Sequence, residues 1–254
     1  MPSFSKIAAA IAFALAASSA QGAPYDVMEF TGPVPGKDAA FQAWYTNHIA
    51  QVLKAPDVRS VQRFKIEQAQ RPGTPYPPLY LQIALDTENL DAAAAALSAL
   101  MQQGSAVIDK DVTITAYYAP RPKVMARDVP GTAPAPAITG KTTLKRFYLL
   151  AMVNADSAHE AAFNSNYDEK HFPDVIRNPG VTWGQRSQLV RAEPAGIPWP
   201  GYLAVYEYSA YDIGAANDEV NRRLAEHITR PLIFTAKGGH TWYAGAMGPA
   251  LHAH

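Results

Sequence analysis

The sequence predicts an α+β fold built from two tandem copies of a roughly 100-residue unit, each running β-α-β-β-α-β. Three observations carry this. Short blocks recur in the same order at a nearly constant spacing, apolar positions switch between periods of two and about 3.6, and a proline-rich stretch separates the two sets.

The recurrence is read first. Phe41-Gln42-Ala43-Trp44-Tyr45 returns as Phe163-Asn164-Ser165-Asn166-Tyr167, and the run 48–58 returns as 171–181. Gln62-Arg63 matches Gln185-Arg186, Pro78-Leu79-Tyr80-Leu81 matches Pro200-Gly201-Tyr202-Leu203, and Ala116-Tyr117-Tyr118-Ala119 matches Thr241-Trp242-Tyr243-Ala244. One such block is open to chance, whereas all of them in order read as duplication. Between them, Pro120, Pro122, Pro130, Pro134 and Pro136 disfavour helix and sheet ladders. The expected organisation is therefore a first unit at 24–120, a linker at 121–142 and a second unit at 143–247.

Within the first unit, residues 25–30 read as a strand, Gly32-Pro33 and Pro35-Gly36 as turns, and Asp38 as a helix cap. Phe41, Trp44, Tyr45, His48, Ile49 and Val52 then fall on one helical stripe, which Pro56 ends. Strands are expected at 58–66, 79–85 and 112–118, with a second, alanine-rich helix at 90–101. The second unit follows suit at 147–153, 158–170, 181–190, 202–208, 215–227 and 240–244. This succession is the ferredoxin-like arrangement, an antiparallel sheet covered by helices on one face. Its other face needs a partner, which the second copy supplies.

Composition narrows the function. The chain has 254 residues, 48% of them hydrophobic, and its 22 basic residues balance 22 acidic ones. No basic face is concentrated enough to neutralise a nucleic-acid backbone. Lys6, the apolar run 7–17 and Ser18-Ser19-Ala20 form a signal-peptide pattern over 1–20, an N-terminal anchor being the alternative. A periplasmic or secreted chain that leaves the membrane after cleavage is expected. With no cysteine there is no disulfide staple, thiol nucleophile or thiolate metal site.

Phe-x-x-Trp-Tyr-x-x-His, followed by Val52-Leu53, Pro56, Val58 and Gln62-Arg63-Phe64, resembles the dimeric α/β-barrel proteins, the EthD-like group especially. His171-Phe172-Pro173-Asp174-Val175 and the run 202–207 resemble it more closely still. The resemblance covers nearly the whole chain after the leader. It implies two sheets closed face to face into a barrel, here within one chain, with a small apolar cavity between sheet and helices. It also implies a His and a Tyr from the first helix facing that cavity, and a range of activities from monooxygenases to cyclases, isomerases and lyases.

The candidate catalytic residues are His171 and Tyr167, with His48 and Tyr45 as their counterparts. A partly desolvated imidazole titrates near neutrality and can move protons, and a phenol can donate to a developing oxyanion; both can also be plain packing. Tyr45 to His48 spans three residues, whereas Tyr167 to His171 spans four, the family spacing, and only the second pair is followed by a proline. The second half is therefore favoured as the active one. Asp174 is a candidate to orient His171, or else a helix cap ahead of a continued helix. Arg186 and Arg63 are candidate anion holders or else rim salt bridges, and Trp183, Tyr206 and Trp242 a candidate aromatic lining for a small hydrophobic or aromatic ligand or else simply core.

His159-Glu160-Ala161-Ala162-Phe163 lacks the second His of a zinc-protease helix, so no metal site is expected. No cofactor is expected, although a single axial His can hold haem and leaves that open. Lys237-Gly238-Gly239-His240 reads as a loop or hairpin turn, and His252-Ala253-His254 as a loose tail. The leading expectation is an exported, cofactor-independent lyase, isomerase or cyclase acting through a His/Tyr pair. The alternative is a non-catalytic binding protein for a hydrophobic ligand or haem, and a homodimer is compatible with either.

Overall fold

A computed structural model describes residues 22–126 and 136–253. The expected leader and the middle of the expected linker lie outside the described residues.

The first half runs β1 (Ala23–Thr31), α1 (Asp38–Val52), β2 (Val58–Ala69), β3 (Leu79–Thr87), α2 (Leu90–Gln102) and β4 (Ile114–Ala126). After the short α3 (Pro136–Thr139), the second half runs β5 (Lys145–Ala155), α4 (Glu160–Asn166), α5 (Phe172–Ile176), β6 (Val181–Glu193), β7 (Tyr202–Ala210), α6 (Ile213–Ala225) and β8 (Thr235–Ala246). A short β9 (Leu251–His252) follows.

The strands form one antiparallel sheet in the order β3-β1-β4-β6-β7-β5-β8-β2, and β2 pairs back onto β3. The sheet therefore closes into an eight-stranded barrel, and β9 adds a short pairing to β2. An eight-stranded barrel leaves an interior that side chains fill, or that holds one small ligand. Two strand pairs join the halves, β4 with β6 and β2 with β8.

Strand periodicity sorts the side chains into three cores. One alternate set, including Met28, Phe30, Phe64, Tyr80, Tyr118 and Trp242, fills the barrel lumen. The other set packs outward against helices. Val27, Leu81 and Tyr117 meet Phe41, Tyr45 and Leu97 in the first half, and Leu149, Tyr206 and Tyr243 meet Phe163, Tyr167 and Val220 in the second.

The structure revises several sequence expectations. β4 continues through Pro120 and Pro122 to Ala126, with Val124 opposite Gln185 and Ala126 opposite Trp183, so residues 121–126 are strand rather than linker. The register shifts between Pro120 and Val124, as expected where prolines lack the N–H that a ladder needs. Asp38 is the first residue of α1 and makes no side-chain cap; Lys37 holds the cap position. Lys237 to His240 lies within β8, and His252 pairs with Ser60 in β9.

Two of the matched blocks are one residue out of register. Tyr80 sits opposite Phe30 and packs in the lumen, whereas Tyr202 sits opposite Val153 and packs under helices. Likewise Tyr117, not Tyr118, shares the helix-facing side with Tyr243, and Trp242 is on the lumen side. A one-residue slip exchanges the two faces of a strand, which similarity of residue type does not reveal.

The four-residue spacing from Tyr167 to His171 also has a physical basis. Between α4 and α5 the helix widens into a π-helical turn over Tyr167–His171, where the Phe172 N–H donates to the Tyr167 carbonyl five residues back. Such a turn accommodates one inserted residue without breaking the helix. Pro173 follows it, lacking the N–H that would continue α-helical bonding. α1, with no proline inside it, runs as an uninterrupted α-helix.

Trp242 is 2% exposed and packs among lumen side chains from several strands. Trp242→Ala should therefore lower the unfolding free energy by about 3–5 kcal/mol in urea titration, the range for deleting a large buried aromatic.

Candidate functional site

The helix-facing side of each half carries a matching row of residues across the sheet. In the first half, strand register places Arg63 beside Leu81, Leu81 beside Glu29 and Glu29 beside Thr115. In the second half the row reads Arg186, Ala204, Ala151 and Thr241. The two rows differ at their middle, where leucine and glutamate are replaced by two alanines.

In the first half this row is sealed. Glu29 and His48 are 1% and 2% exposed, and His48 Nε2 lies 2.8 Å from Glu29 Oε2. The Trp44 indole stacks on the imidazole with ring centroids 4.8 Å apart. A Cβ on Gly104 would lie 2.2 Å from that indole, so glycine is what lets Trp44 take its place. Tyr45 is buried against Phe41, its hydroxyl has no partner, and burial pushes the phenol above its usual range. Arg63 is turned to the chain end, where Nη2 donates to the Met247 carbonyl. His48, Tyr45 and Arg63 thus do not form a common open site.

The second half is organised around Arg186, which is fully buried. Its Nη1 meets Asp168 Oδ1 at 2.5 Å, its Nη2 donates to Asn164 Oδ1 at 3.0 Å, and its guanidinium lies 3.8 Å over the Tyr167 ring. Arg121 approaches the other Asp168 oxygen at 3.3 Å. A buried guanidinium needs a paired charge and filled hydrogen bonds, and removing one partner typically costs about 3–5 kcal/mol. Arg186 is therefore a keystone of the packing under α4. Its charge is already matched, so it is not an open anion holder.

Tyr167 is 1% exposed, with its hydroxyl 3.5 Å from that of Tyr206. Its ring stands edge-on to His171, centroids 5.1 Å apart. Burial raises both phenols, so both are protonated at neutral pH. A Cβ on Gly184 would lie 2.8 Å from both Ile176 and Tyr206, so this glycine allows α5 to close on β6.

His171 differs from its surroundings in being half-buried rather than sealed. Its Nδ1 lies 2.6 Å from the Arg230 backbone carbonyl. A carbonyl only accepts, so Nδ1 carries the proton and a neutral ring has its lone pair on Nε2. Burial holds the imidazole below its ordinary value of 6.5 and the Arg186 charge adds to this, while the carbonyl bond and Asp174 oppose it. In the row across β5 and β8, Ala151 and Thr241 are half-buried, as is Val153, so solvent reaches the helix-facing side of these strands. Glu29 and Thr115, in the same row positions of the first half, are sealed.

Asp174 does not orient His171 by direct contact. Its carboxylate takes Arg230 Nε at 2.6 Å, Arg230 Nη2 at 2.9 Å and Arg177 Nη1 at 3.0 Å. It fixes the segment whose carbonyl holds His171, one residue removed from the expected role. Trp183 and Trp242 line the lumen on the opposite face of the sheet and cannot share a site with His171. Tyr206 is on the helix-facing side but fully buried.

Glu29, Asn164, Asp168 and Arg230 went unnoticed in the sequence. Only Glu29 left a signal, as a carboxylate inside the apolar run Val27-Met28-Glu29-Phe30. Among the described residues no group of three or more His, Asp or Glu side chains is placed to hold a metal ion.

No family model and no curated protein matches the sequence. Solved structures do match the fold. A candidate monooxygenase from Fusobacterium nucleatum aligns over 91% of this chain and 97% of its own, with TM-score 0.53 at 9% identity. An anthrone oxidase-like protein aligns over 91% and 93%, with TM-score 0.54 at 10% identity. A candidate chlorite dismutase aligns over 89% and 95%, with TM-score 0.52 at 10% identity.

These likenesses show a shared fold, an α+β barrel of antiparallel strands covered by helices. They also overturn the expectation of chemistry without a cofactor, because the same fold is found in a candidate chlorite dismutase. Haem in particular does not fit the face that His171 shares with Tyr167. Tyr167, Phe172, Arg186 and Tyr206 are buried there, so a macrocycle would have to displace them.

A lowered His171 pKa has a defined consequence for stability. The unfolded chain binds the proton more readily, so the neutral ring's contribution is full above the ordinary value of 6.5 and is lost as pH falls through the folded value. His171→Asn should keep the bond to Arg230 without titrating. The stability advantage of the parent over this variant should shrink below about pH 6.5, as read from urea titrations at several pH values.

Proposed function

We propose that the second half carries an enzyme site in which neutral His171 accepts a proton through Nε2. The substrate would be a small, apolar or aromatic molecule with an acidic C–H or O–H. The observation that supports this is the contrast between the two rows. Glu29 meets His48 and the space is sealed, whereas alanines at 151 and 204 leave His171 half-buried beside solvent-reached β5 and β8.

In this reading the groups around His171 are positioning residues. Asp174 anchors Arg230, the Arg230 carbonyl fixes the tautomer, and burial, with the Arg186 charge over Tyr167 adding to it, favours the neutral ring. A base whose pKa sits a little below the working pH is mostly in its proton-accepting form. The transferred proton moves to Nε2, and the anion formed rests against the half-buried Thr241 hydroxyl on the cleft floor. Returning the proton to another atom gives isomerisation, expelling a group gives a lyase, and ring closure gives a cyclase. The similar anthrone oxidase-like and candidate monooxygenase structures make an activated aromatic carbon acid a reasonable first substrate class.

We also read the two halves as an internal duplication and the chain as an exported protein. The first reading rests on matching element order and on the shared bulge positions after Val58 and Val181. The second rests on the 1–20 pattern.

The direct readout is hydrogen–deuterium exchange at the acidic carbon of anthrone and of simple aryl ketones and lactones, followed by NMR in D2O. The parent protein should accelerate exchange for at least one of them, and His171→Ala should lose about 10²–10⁴ of that acceleration. Equal rates for the variant and the parent would refute the assignment.

A further inference from the structure

The barrel lumen has a second character that the His171 cleft does not use. One end is packed with aromatic rings, among them Phe30, Tyr118, Trp199 and Trp242. The other end is polar and holds a cavity of about 350 Å³, lined by Gln62, Gln82, Tyr148, Trp183 and Glu207 over a floor of Phe64. That volume falls at the lower end of the usual range for ligand pockets, about 300–1,000 Å³.

Hydrogen bonding around this cavity is one-sided. Gln62 Nε2 donates to the Gly248 carbonyl and Gln82 Nε2 to Asp26 Oδ1, so both amide oxygens remain as acceptors. Glu207 is held by the Thr182 and Tyr148 hydroxyls, with Arg146 3.7 Å away to offset its charge. Behind the floor, Tyr80 stacks on Phe64 with centroids 4.4 Å apart, and its fully buried hydroxyl has no partner. A buried polar atom without a partner costs stability. Trp183 and Phe64 add flat apolar faces beside these acceptors.

We propose that the polar end of the lumen binds a small neutral molecule rich in hydroxyl groups and bearing an apolar ring face, a monosaccharide or cyclitol. Hydroxyl donors match the amide oxygens of Gln62 and Gln82, and the C–H face of the ring lies on the Trp183 indole. A strongly anionic ligand would meet Glu207, and a wholly apolar one would leave the glutamine oxygens unpaired. The site lies on the opposite side of β6 from Arg186 and Gly184, so it is independent of the proton-transfer cleft.

The test is saturation-transfer difference NMR on the full chain with D-glucose, D-galactose and myo-inositol as separate probes. At least one should bind saturably, with a dissociation constant of roughly millimolar. Trp183→Ala and Gln82→Leu, each checked for folding by circular dichroism, should each weaken that binding about tenfold, and His171→Ala should leave it unchanged. The proposal fails if no probe binds saturably, if both lumen variants bind as the parent does, or if His171→Ala alone abolishes binding. It stands or falls separately from the exchange activity.

Discussion

Closure of the barrel is the constraint on which the rest depends. β4 pairs with β6 and β2 with β8, so neither half has a free sheet edge where they meet. Closure turns one face of every strand into a shared lumen and leaves the other face to be covered by each half's own helices. It is completed within one chain, so the fold itself calls for no second copy. Because both faces of β3 and β7 are buried, each strand residue is committed either to the lumen or to the helices, and register becomes a functional variable.

On this common frame the two halves differ at the row of residues that faces the first helix. Glutamate at 29 gives His48 a carboxylate partner and Trp44 closes over it, producing a polar contact sealed inside an apolar layer. In the second half Ala151 offers no such partner, the helix widens at the π-helical turn ahead of Pro173, and His171 turns to the Arg230 carbonyl. The buried Arg186–Asp168–Asn164 network then supports the helix from below, a role the glutamate–histidine pair does not need to share. One half reads as a structural support and the other as a place where chemistry can reach solvent.

Much of this was legible in the sequence. Element order and the Gln-Arg match between β2 and β6 follow from periodicity and local identity. The Tyr–His spacing and the proline after His171 marked a difference between the helices that the π-helical turn makes concrete. What could not be read was facing. Tyr202 was matched to Tyr80 by type, yet the register puts them on opposite sides, and Trp183 and Trp242 looked like lining for the His171 cleft while belonging to the lumen. Partners that are distant in sequence, such as Glu29 with His48 and Asp174 with Arg230, depend on tertiary approach that no local pattern encodes. The strand through Pro120 and Pro122 was missed because pairing with β6 overrides the local bias of proline.

The central claim is that the helix-facing space is closed at His48 and open at His171. Diethyl pyrocarbonate acylates accessible neutral imidazole nitrogens, so its peptide-resolved rates on the folded protein, read by mass spectrometry, test that contrast directly. Rapid modification of His171 with His48 protected until the protein unfolds is the predicted outcome. Equal protection of both, or faster reaction at His48, would contradict the account.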